Sequence, residues 1–397
     1  MRPWQVVALA LALLFFALTT GWRVLYLLAY VLLATLFFSY LWTVLNLRGL
    51  SLSRVSSATR VQVGEILEER FALENHSSLP KLGVQITDES DLPNHYAGHV
   101  ASVRGRSRVP WKTRTLCRRR GRYVLGPAVV TSRDLLGLFQ RRMLLVQPRP
   151  LLVLPAVLPI TRFDLYPGEL PGHGRGSQRA LQTTTNAVTV RPYVSGDSMN
   201  RIHWPTSARL RQLMVKEFDL DPSIDAWIFL DLQQNVQAGE DDASTEEYGV
   251  TIAATVANYL LENDVAVGLV VNAGHYEFLN LDRGQRQIER ILELLACIHA
   301  GPGPSLSEAL AIQGMHFARN TAAIVITPSW HDDWQEGLQQ LRRRGVKPAV
   351  IAIDPSSFDV YPSNEHAVDV LISLGIPTMV IRRGDPLVHV LEEGPIV

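Results

Sequence analysis

The run Ala226-Trp227-Ile228-Phe229-Leu230 is apolar throughout and ends at the carboxylate of Asp231. Five consecutive apolar residues closed by a polar one are typical of a strand buried on both faces, as in a parallel sheet. Similar short apolar runs recur downstream and are separated by segments with helical spacing of apolar residues. The predicted strands are 265–272, 275–281, 322–327, 348–353 and 378–381, and the predicted helices are 245–262, 285–300, 305–318, 333–344 and 366–374.

Alternating buried strands and helices predict a parallel, doubly wound α/β sheet for residues 221–397. Ligands of such sheets bind at the carboxyl ends of the strands, which makes Asp231 the first candidate site residue. As a plain structural alternative, Asp231 is only a cap or turn residue at the end of its strand.

Upstream of the sheet, residues 161–220 are predicted to be a linker followed by a distinctive polar and aromatic segment. The linker, 167–178, contains four glycines and two prolines. Its spaced glycines lack the Lys-Ser/Thr of a phosphate-binding loop, so we do not expect phosphate there. The following segment combines a turn at Gly196, cations and aromatic rings. Its candidate partner-binding residues are Arg191, Tyr193, Asp197, Arg201, His203, Trp204 and Arg209.

Two interpretations of this segment stay open. The cations, Asp197 and the aromatic faces can lock the segment internally by bidentate pairing and cation–π contacts. Alternatively, the segment is a docking epitope, since Trp and Arg are the commonest anchors of protein interfaces. Catalysis by His203 is not favoured, because the sequence shows no nucleophile or oxyanion site to accompany it.

The segment from Arg191 to Phe218 resembles the signature of the bacterial family called domain of unknown function 58. The matching elements are Arg-x-Tyr-x-x-Gly-Asp (191–197), Arg201, Ile-His-Trp (202–204) and Ser-Ala-Arg (207–209). The strand 120–127 and the motif Asp-Leu-Leu-Gly-Leu-Phe (134–139) agree in order, so the resemblance covers most of the chain. Many members carry Glu-Phe ahead of the signature, where this chain has Asn186-Ala187.

The resemblance implies a von Willebrand factor A-like α/β domain and partnership with a MoxR-type AAA+ ATPase. In von Willebrand A domains, Asp-x-Ser-x-Ser, a Thr and a second Asp hold Mg²⁺ through hard oxygen ligands. This chain has Asp231, Gln233 and Asn235 in the first motif, Ser305 in the segment that corresponds to the Thr loop, and Pro328 in place of the second Asp. We therefore expect this altered set to bind no metal and the protein to need no cofactor.

Residues 51–160 alternate apolar and polar side chains between short turns, which predicts a small β-sandwich. Nine Lys or Arg and no acidic residue occur between Arg104 and Arg122. This basic stretch fits either anionic lipids or an acidic partner, or a solvated hairpin whose cations balance carboxylates elsewhere. Nucleic acid is not expected as a partner, because aromatic stacking residues do not interleave with the arginines.

Residues 1–50 are predicted to form a membrane hairpin of two helices. Pro3–Trp22 and Val24–Leu47 lack charged residues and are each about 20 residues or longer, enough for a hydrocarbon core of about 30 Å. A cleaved signal peptide with one anchor is the alternative, although Ala17-Leu18-Thr19 is a poor cleavage site. The cations at Arg2, Arg48, Arg54 and Arg60, against Arg23 alone in the bend, place both termini in the cytoplasm.

The whole composition agrees with this organisation of a membrane hairpin, a small β-sandwich and an α/β doubly wound domain. Charged residues make up 19% of the chain, below the globular norm of roughly 25%, and the net charge is zero. No zinc spacing, nucleophile elbow or P-loop is present. The favoured function is a non-enzymatic adaptor in the inner (plasma) membrane. An envelope structural or adhesion protein and an enzyme of unknown reaction remain alternatives.

Overall fold

The computed structural model describes residues 3–163, 187–194, 199, 202–218, 225–318 and 321–395. The chain divides into two compact units. The first is Met1–Ala156 with Glu293–Cys297, and the second is Val157–Leu292 with Ile298–Val397. The N-terminal helices and the β-rich region thus share one unit. The finer division at residues 50, 160 and 220 remains a prediction.

The first unit begins with two apolar helices, α1 (Pro3–Thr20) and α2 (Arg23–Leu47). They contact each other where Val6 and Ala10 pack with Leu36. By length and composition, α2 is the one described helix that could cross a membrane, and the apolar part of α1 is shorter. A second membrane crossing by α1 therefore stays a prediction.

Ten strands follow: β1 (Leu50–Ser56), β2 (Arg60–Gln62), β3 (Ile66–Asn75), β4 (Lys81–Asp88), β5 (His99–Val103), β6 (Arg108–Leu116), β7 (Gly121–Leu125), β8 (Ala128–Arg133), β9 (Gln140–Val146) and β10 (Arg149–Leu154). They form three sheets with orders β1-β3-β6, β5-β4-β8-β9 and β2-β10-β7. One core cluster joins Leu52 and Phe71 of the first sheet to Val84, Ile86 and Val130 of the second. The two sheets therefore pack face to face, and the third sheet has a small core of its own.

Helix α2 is joined closely to this β region. The Asn46 side chain donates to the Leu82 carbonyl (2.9 Å) and to Ser132 Oγ (2.8 Å), and it accepts from the Leu82 amide (3.0 Å). Leu47 belongs to the same core cluster as Leu50. Since only two residues separate α2 from β1, the helix continues into the β region without a flexible linker.

The first strands of the second unit form a small antiparallel hairpin, β11 (Ala187–Pro192) and β12 (Met214–Phe218), which encloses the short helix α3 (Trp204–Leu210). Arg191 pairs with Val215, and Pro192 pairs with Met214. The turn predicted at 195–198 and the glycine-rich linker lie outside the described residues.

A six-stranded sheet forms the body of the second unit. Its strands are β13 (Ala226–Asp231), β14 (Val267–Ala273), β15 (His275–Asp282), β16 (Ala322–Thr327), β17 (Lys347–Ile353) and β18 (Thr378–Ile381). The order is β15-β14-β13-β16-β17-β18, and all pairs are parallel except the antiparallel edge pair β14–β15. The predicted parallel sheet is thus observed, with one antiparallel edge strand added.

The remaining helices are α4 (Thr245–Glu262), α5 (Gln285–Cys297), α6 (Leu306–Gln313), α7 (Gln335–Arg343), α8 (Glu365–Ser373) and α9 (Leu387–Glu393). Helix α4 covers one face of the sheet and approaches it closely at Gly249, where an added Cβ would lie 3.1 Å from Leu230 Cδ1. Helices α6, α7 and α8 bury Leu310, Leu338 and Leu371 against the opposite face. Helices on both faces make the sheet doubly wound, as predicted.

Candidate functional site

The hairpin of β11, α3 and β12 carries the residues that the sequence selected for partner binding. Backbone hydrogen bonds hold its base, from Tyr193 N to the Leu213 carbonyl (2.8 Å) and from His203 N to the Met214 carbonyl (2.8 Å). Ile202 forms an isolated bridge with Val215. The chain before α3 is therefore paired along β12, and α3 follows directly from it.

His203 caps the N-terminus of α3. Its Nδ1 accepts from the Thr206 amide (3.3 Å) and lies 2.7 Å from Thr206 Oγ1. Ser207 Oγ donates to the His203 carbonyl (2.9 Å) and accepts from the Met214 amide (2.8 Å), which ties the helix to β12. A side chain that accepts from an early helix amide satisfies one of the otherwise unpaired donors. His203 thus stabilises the start of α3, a role that the sequence did not suggest.

Several large apolar side chains of this hairpin are exposed. We call this part of the hairpin the signature surface and define it by Val194, Met199, Trp204, Leu210 and Leu213, all of which are exposed. Trp204 is 65% exposed although tryptophan is usually well buried. Several exposed large apolar side chains within one short segment are a sign of an interaction site.

The seven predicted partner-binding residues have different places in the structure. Trp204 and Arg209 are exposed at the two ends of α3, and Tyr193 is half-buried at the end of β11. His203 is half-buried as the cap, while Arg191 contributes its backbone to β11. The last two predicted residues, Asp197 and Arg201, lie outside the described residues.

A second candidate site lies where the strand order of the sheet reverses, between β13 and β16. Asp231 ends β13 and is 1% exposed. Its carboxylate accepts from Thr327 Oγ1 (2.8 Å), from Asn272 Nδ2 (3.3 Å) and from the Gln233 amide (3.2 Å). The strand ends of β13, β14 and β16 therefore converge on one buried carboxylate, as expected for a doubly wound sheet.

Burial dominates the electrostatics of Asp231. It raises the pKa of the carboxyl from 3.8 to about 6, and the nearby charge of Asp333 acts in the same direction. Hydrogen bonds from Thr327, Gln233 and Asn272 lower the pKa and offset part of the effect of burial. The carboxyl therefore holds its proton more readily than an exposed aspartate.

The other predicted metal ligands do not complete a set around Asp231. Gln233 contributes its backbone amide, and Asn235 is exposed in a short 3₁₀ turn. Ser305 is not in a free loop but caps α6, where its hydroxyl accepts from the Glu308 amide in a capping box. One carboxylate, whose oxygens already accept from neighbouring groups, is a poor donor set for Mg²⁺.

Sequence reasoning missed Thr327 and Asn272 as partners of Asp231. Asn272 Nδ2 also donates to the Pro304 carbonyl (3.0 Å), while its buried Oδ1 has no hydrogen-bond partner among the residues that the structure describes. Their positions in the sequence could have identified them, because each residue lies at or near the carboxyl end of a strand that pairs with β13.

The β region contains a buried ionic cluster that the sequence analysis did not identify. Arg54 binds Glu69 with two hydrogen bonds (2.8 and 2.9 Å) and Asp88 with two more (3.2 Å each). His95 Nε2 lies 2.9 Å from Asp88 Oδ2, and its Nδ1 lies 2.8 Å from Thr115 Oγ1. The side chains of the four charged or ionisable members are at most 3% exposed.

Glu69, Asp88 and His95 offer three potential metal ligands within 4.8 Å of one another. Arg54 nevertheless binds both carboxylates and offsets one of their two negative charges. A metal ion would have to displace a bidentate guanidinium, so the geometry fits a structural ion network and not a metal centre.

The basic stretch between Arg104 and Arg122 contributes to cross-strand ion pairs. Arg108 and Arg114 on β6 lie directly opposite Glu74 and Glu68 on β3, at 3.5 and 2.7 Å. For these two arginines the structure favours the interpretation of a solvated hairpin balanced by carboxylates. Exposed ion pairs of this kind contribute about 0–1 kcal/mol each to the free energy of unfolding.

Residues 189–359 match the model of the family described as "Protein of unknown function DUF58". The uncharacterized protein YeaD of Bacillus subtilis (strain 168) is 24% identical over 344 residues, which cover 83% of this chain and 84% of that protein. The resemblance predicted from the signature is therefore confirmed over residues 189–359.

Among solved structures, a CARDB domain from Pyrococcus furiosus is similar at 12% identity with a TM-score of 0.21, covering 26% of this chain and 94% of that one. The pilus adhesin SpaC from Lactobacillus rhamnosus GG is similar at 10% identity with a TM-score of 0.31. The matched region covers 43% of this chain and 29% of the adhesin chain. These scores are too low to carry an argument.

Proposed function

We propose, from the membership of residues 189–359 in the family of unknown function DUF58, that this chain is a membrane-anchored, non-enzymatic adaptor. In this proposal the N-terminal helices supply the membrane address. The second unit supplies a surface that binds a partner protein.

The signature surface is the observation that carries the proposal. Trp204, Met199 and Val194 are each more than 60% exposed, and Arg209 stands at the far end of the same short helix. Hot spots of protein interfaces are enriched in Trp and Arg, and apolar neighbours exclude water around them. The cap by His203 and the bonds of Ser207 fix the helix, so little ordering is needed upon binding.

The α/β sheet supports binding rather than chemistry. Its order of β15-β14-β13-β16-β17-β18, with an antiparallel edge strand, is compatible with the von Willebrand A-like fold that the resemblance implies. Domains of that fold mainly make protein contacts. Nδ1 of His203 is engaged in capping α3, which argues against a role for this histidine as a proton carrier.

The proposed partner is a MoxR-type AAA+ ATPase, which the family resemblance implies. The ATPase would supply the energy of nucleotide hydrolysis, and this chain would supply the membrane location and a docking surface. We further propose that α1 and α2 both cross the inner membrane and that the β region and the second unit lie in the cytoplasm. Of these two helices, α2 passes the test of length and apolar composition.

The test is co-purification of the full-length chain, extracted in detergent, with the MoxR-type ATPase of the same organism. We expect the double variant Trp204→Ala, Arg209→Ala to abolish recovery of the ATPase. The helix should stay folded, because neither side chain takes part in the cap or in the bonds of Ser207.

A matched control replaces an exposed apolar residue and an exposed arginine elsewhere in the second unit, Val360→Ala with Arg343→Ala. The control should retain full binding. Undiminished recovery with the Trp204 and Arg209 variant would remove the signature surface from the proposal.

A further inference from the structure

The turn between β8 and β9 is a compact loop that lies against α2. Its sequence is Asp134-Leu135-Leu136-Gly137-Leu138-Phe139. The buried Asp134 carboxylate accepts from the Phe139 amide (2.7 Å) and the Leu136 amide (3.3 Å). It also accepts from the hydroxyl of Ser39 in α2. One carboxylate thus shapes the loop and attaches it to the helix.

The apolar side chains of this loop divide into two groups. Leu138 and Phe139 pack with the cluster formed by α1 and α2, and the Phe139 ring meets Tyr40 edge to face at 5.7 Å. Leu135 and Leu136 do not belong to this cluster and are 92% and 59% exposed. Two adjacent exposed leucines at a loop tip are unfavourable in water and favourable in lipid.

The position of the loop along α2 gives its depth. Helix α2 has 25 residues, so it is about 37 Å long, while the hydrocarbon core is about 30 Å thick. A core that begins at Arg23 would end about 20 residues later, near Thr43. Ser39, which holds Asp134, lies within that span, about one turn inside its end.

The loop and α2 together enclose an apolar groove. Val31, Ala34, Thr35 and Phe38 line it from the helix, and Leu135 and Leu136 line it from the loop; its volume is about 440 Å³. The groove begins near Ser39 and extends toward the middle of α2. Its lining residues on α2 run from Val31 to Trp42, a span of about 16 Å along the helix axis, which is long enough for part of an acyl chain.

Exposed cations flank the loop and follow the end of α2. Arg133 immediately precedes Asp134, Arg141 lies opposite Ser132 in the β8–β9 pair, and Arg48 follows the end of α2. All three arginines are exposed. Arginines just outside an apolar segment are suited to the phosphates of lipid headgroups, with leucines below them in hydrocarbon.

We infer that the loop Asp134–Phe139 enters the same membrane leaflet as the end of α2 and that a phospholipid acyl chain occupies the groove between them. This inference rests on the proposed membrane anchorage of α2. It adds that the β region is itself a membrane-contacting element, held at a fixed depth and orientation by the Ser39–Asp134 contact.

The test uses the full-length chain in vesicles of phosphatidylcholine and phosphatidylglycerol, with Cys297→Ser removing the exposed native thiol. A fluorescent probe is attached to Leu135→Cys, and nitroxide lipids labelled on the acyl chain or on the headgroup serve as quenchers. Leu28→Cys, exposed on α2, reports membrane anchorage, and Tyr96→Cys, 82% exposed in the β region, is the aqueous control.

We expect the probes at Leu135 and Leu28 to lose most of their fluorescence with acyl-chain nitroxides. The probe at Tyr96 should retain its fluorescence. Stronger quenching of Leu135 by headgroup nitroxides than by acyl-chain nitroxides would overturn the assignment of the groove to an acyl chain. Quenching at Leu28 without quenching at Leu135 would overturn the inference and leave the anchorage standing. No quenching at either position would overturn both.

Discussion

Thr327 Oγ1, at the end of β16, donates a hydrogen bond of 2.8 Å to the buried carboxylate of Asp231, at the end of β13. The two residues are 96 positions apart in sequence and meet where the strand order of the sheet reverses. In turn, the Ser329 amide donates to Thr327 Oγ1 (3.0 Å). The carboxylate is therefore surrounded by donors but buried away from water, and its ionisation is unfavourable.

The variant Asp231→Asn should stabilise the second unit at pH 8. The native pKa of Asp231 is raised from 3.8 to about 6, so its stabilising contribution is complete below pH 3.8 and is lost as the pH rises through 6. This loss lowers the free energy of unfolding by about 3 kcal/mol. An uncharged amide of the same shape avoids most of that loss. Amide hydrogen exchange in peptides from β13 and β16 measures the gain.

Asp369→Asn is the control for this variant, since Asp369 is exposed on α8. It should leave hydrogen exchange unchanged at pH 5 and at pH 8. A clear loss of protection in Asp231→Asn at pH 8 would mean that the ionised carboxylate is needed there, contrary to the argument from burial.

We expect Mg²⁺ and Mn²⁺ to leave the thermal unfolding of the second unit unchanged. The oxygens of Asp231 already accept hydrogen bonds, and the hydroxyl of Ser305 accepts from the Glu308 amide. A cation that binds the native state would raise the unfolding temperature in a saturable way. Such a rise in the wild type, absent from Asp231→Asn, would show that the altered motif still holds a metal.

A reporter that works only in the cytoplasm should be active when it is fused after the C-terminus. A reporter that works only in the periplasm should be inactive at the same position. This follows from two crossings and from the positive-inside rule, given Arg48 just after α2 and Arg23 alone in the bend. A fusion after residue 22, in the bend, should show the opposite pattern. Activity of the C-terminal fusion in the periplasm alone would favour the alternative of an envelope or adhesion protein.

The strands and helices of the second unit could be predicted because their signal is local. The period of apolar residues gave α4 as Thr245–Glu262 and β18 as Thr378–Ile381, with the bounds that the structure shows. Helix α5 ends three residues early, at Cys297, and α6 ends at Gln313, where a short 3₁₀ turn follows. Helix ends depend on capping contacts, which periodicity does not report.

The side-chain partnerships could not be predicted in the same way, because they join distant strands. The alternation of side chains along β1 places Arg54 on the same buried face as Leu50 and Leu52. The sequence therefore indicated that this arginine is buried. Its partners Glu69 and Asp88 depend on how β1, β3 and β4 assemble, which no local pattern shows.

The variant Asp88→Asn should destabilise the β region strongly. Asp88 accepts from Arg54, from His95 and from Ser90 Oγ (2.8 Å), all within the protein interior. Arg54 keeps its pair with Glu69 in the variant, but an amide nitrogen cannot accept the hydrogen bonds that the replaced carboxylate oxygen accepts. A hydrogen bond to a charged group typically contributes about 1.5–3 kcal/mol to stability. Hydrogen exchange of the full-length protein in detergent, followed in peptides from β1, β3 and β4, measures the loss.

The adjacent residue provides the matched control. Glu89 pairs with Arg142, but both side chains are about half exposed, so Glu89→Gln should change stability by about 0–1 kcal/mol. If the two variants behaved alike, the network around Arg54 would contribute no more than a surface pair.

The acid dependence of the wild type should follow the same carboxylate. Burial alone would raise the pKa of Asp88, but the hydrogen bond from His95 and the charge of Arg54 outweigh burial and hold the pKa below 3.8. Its stabilising contribution is thus complete above pH 3.8 and is lost as the pH falls through the lowered native pKa. Asp88→Asn lacks this contribution at every pH, so the stability difference between the variant and the wild type should shrink in acid. A difference that stayed constant down to pH 2 would show that Asp88 stabilises by shape and not by charge.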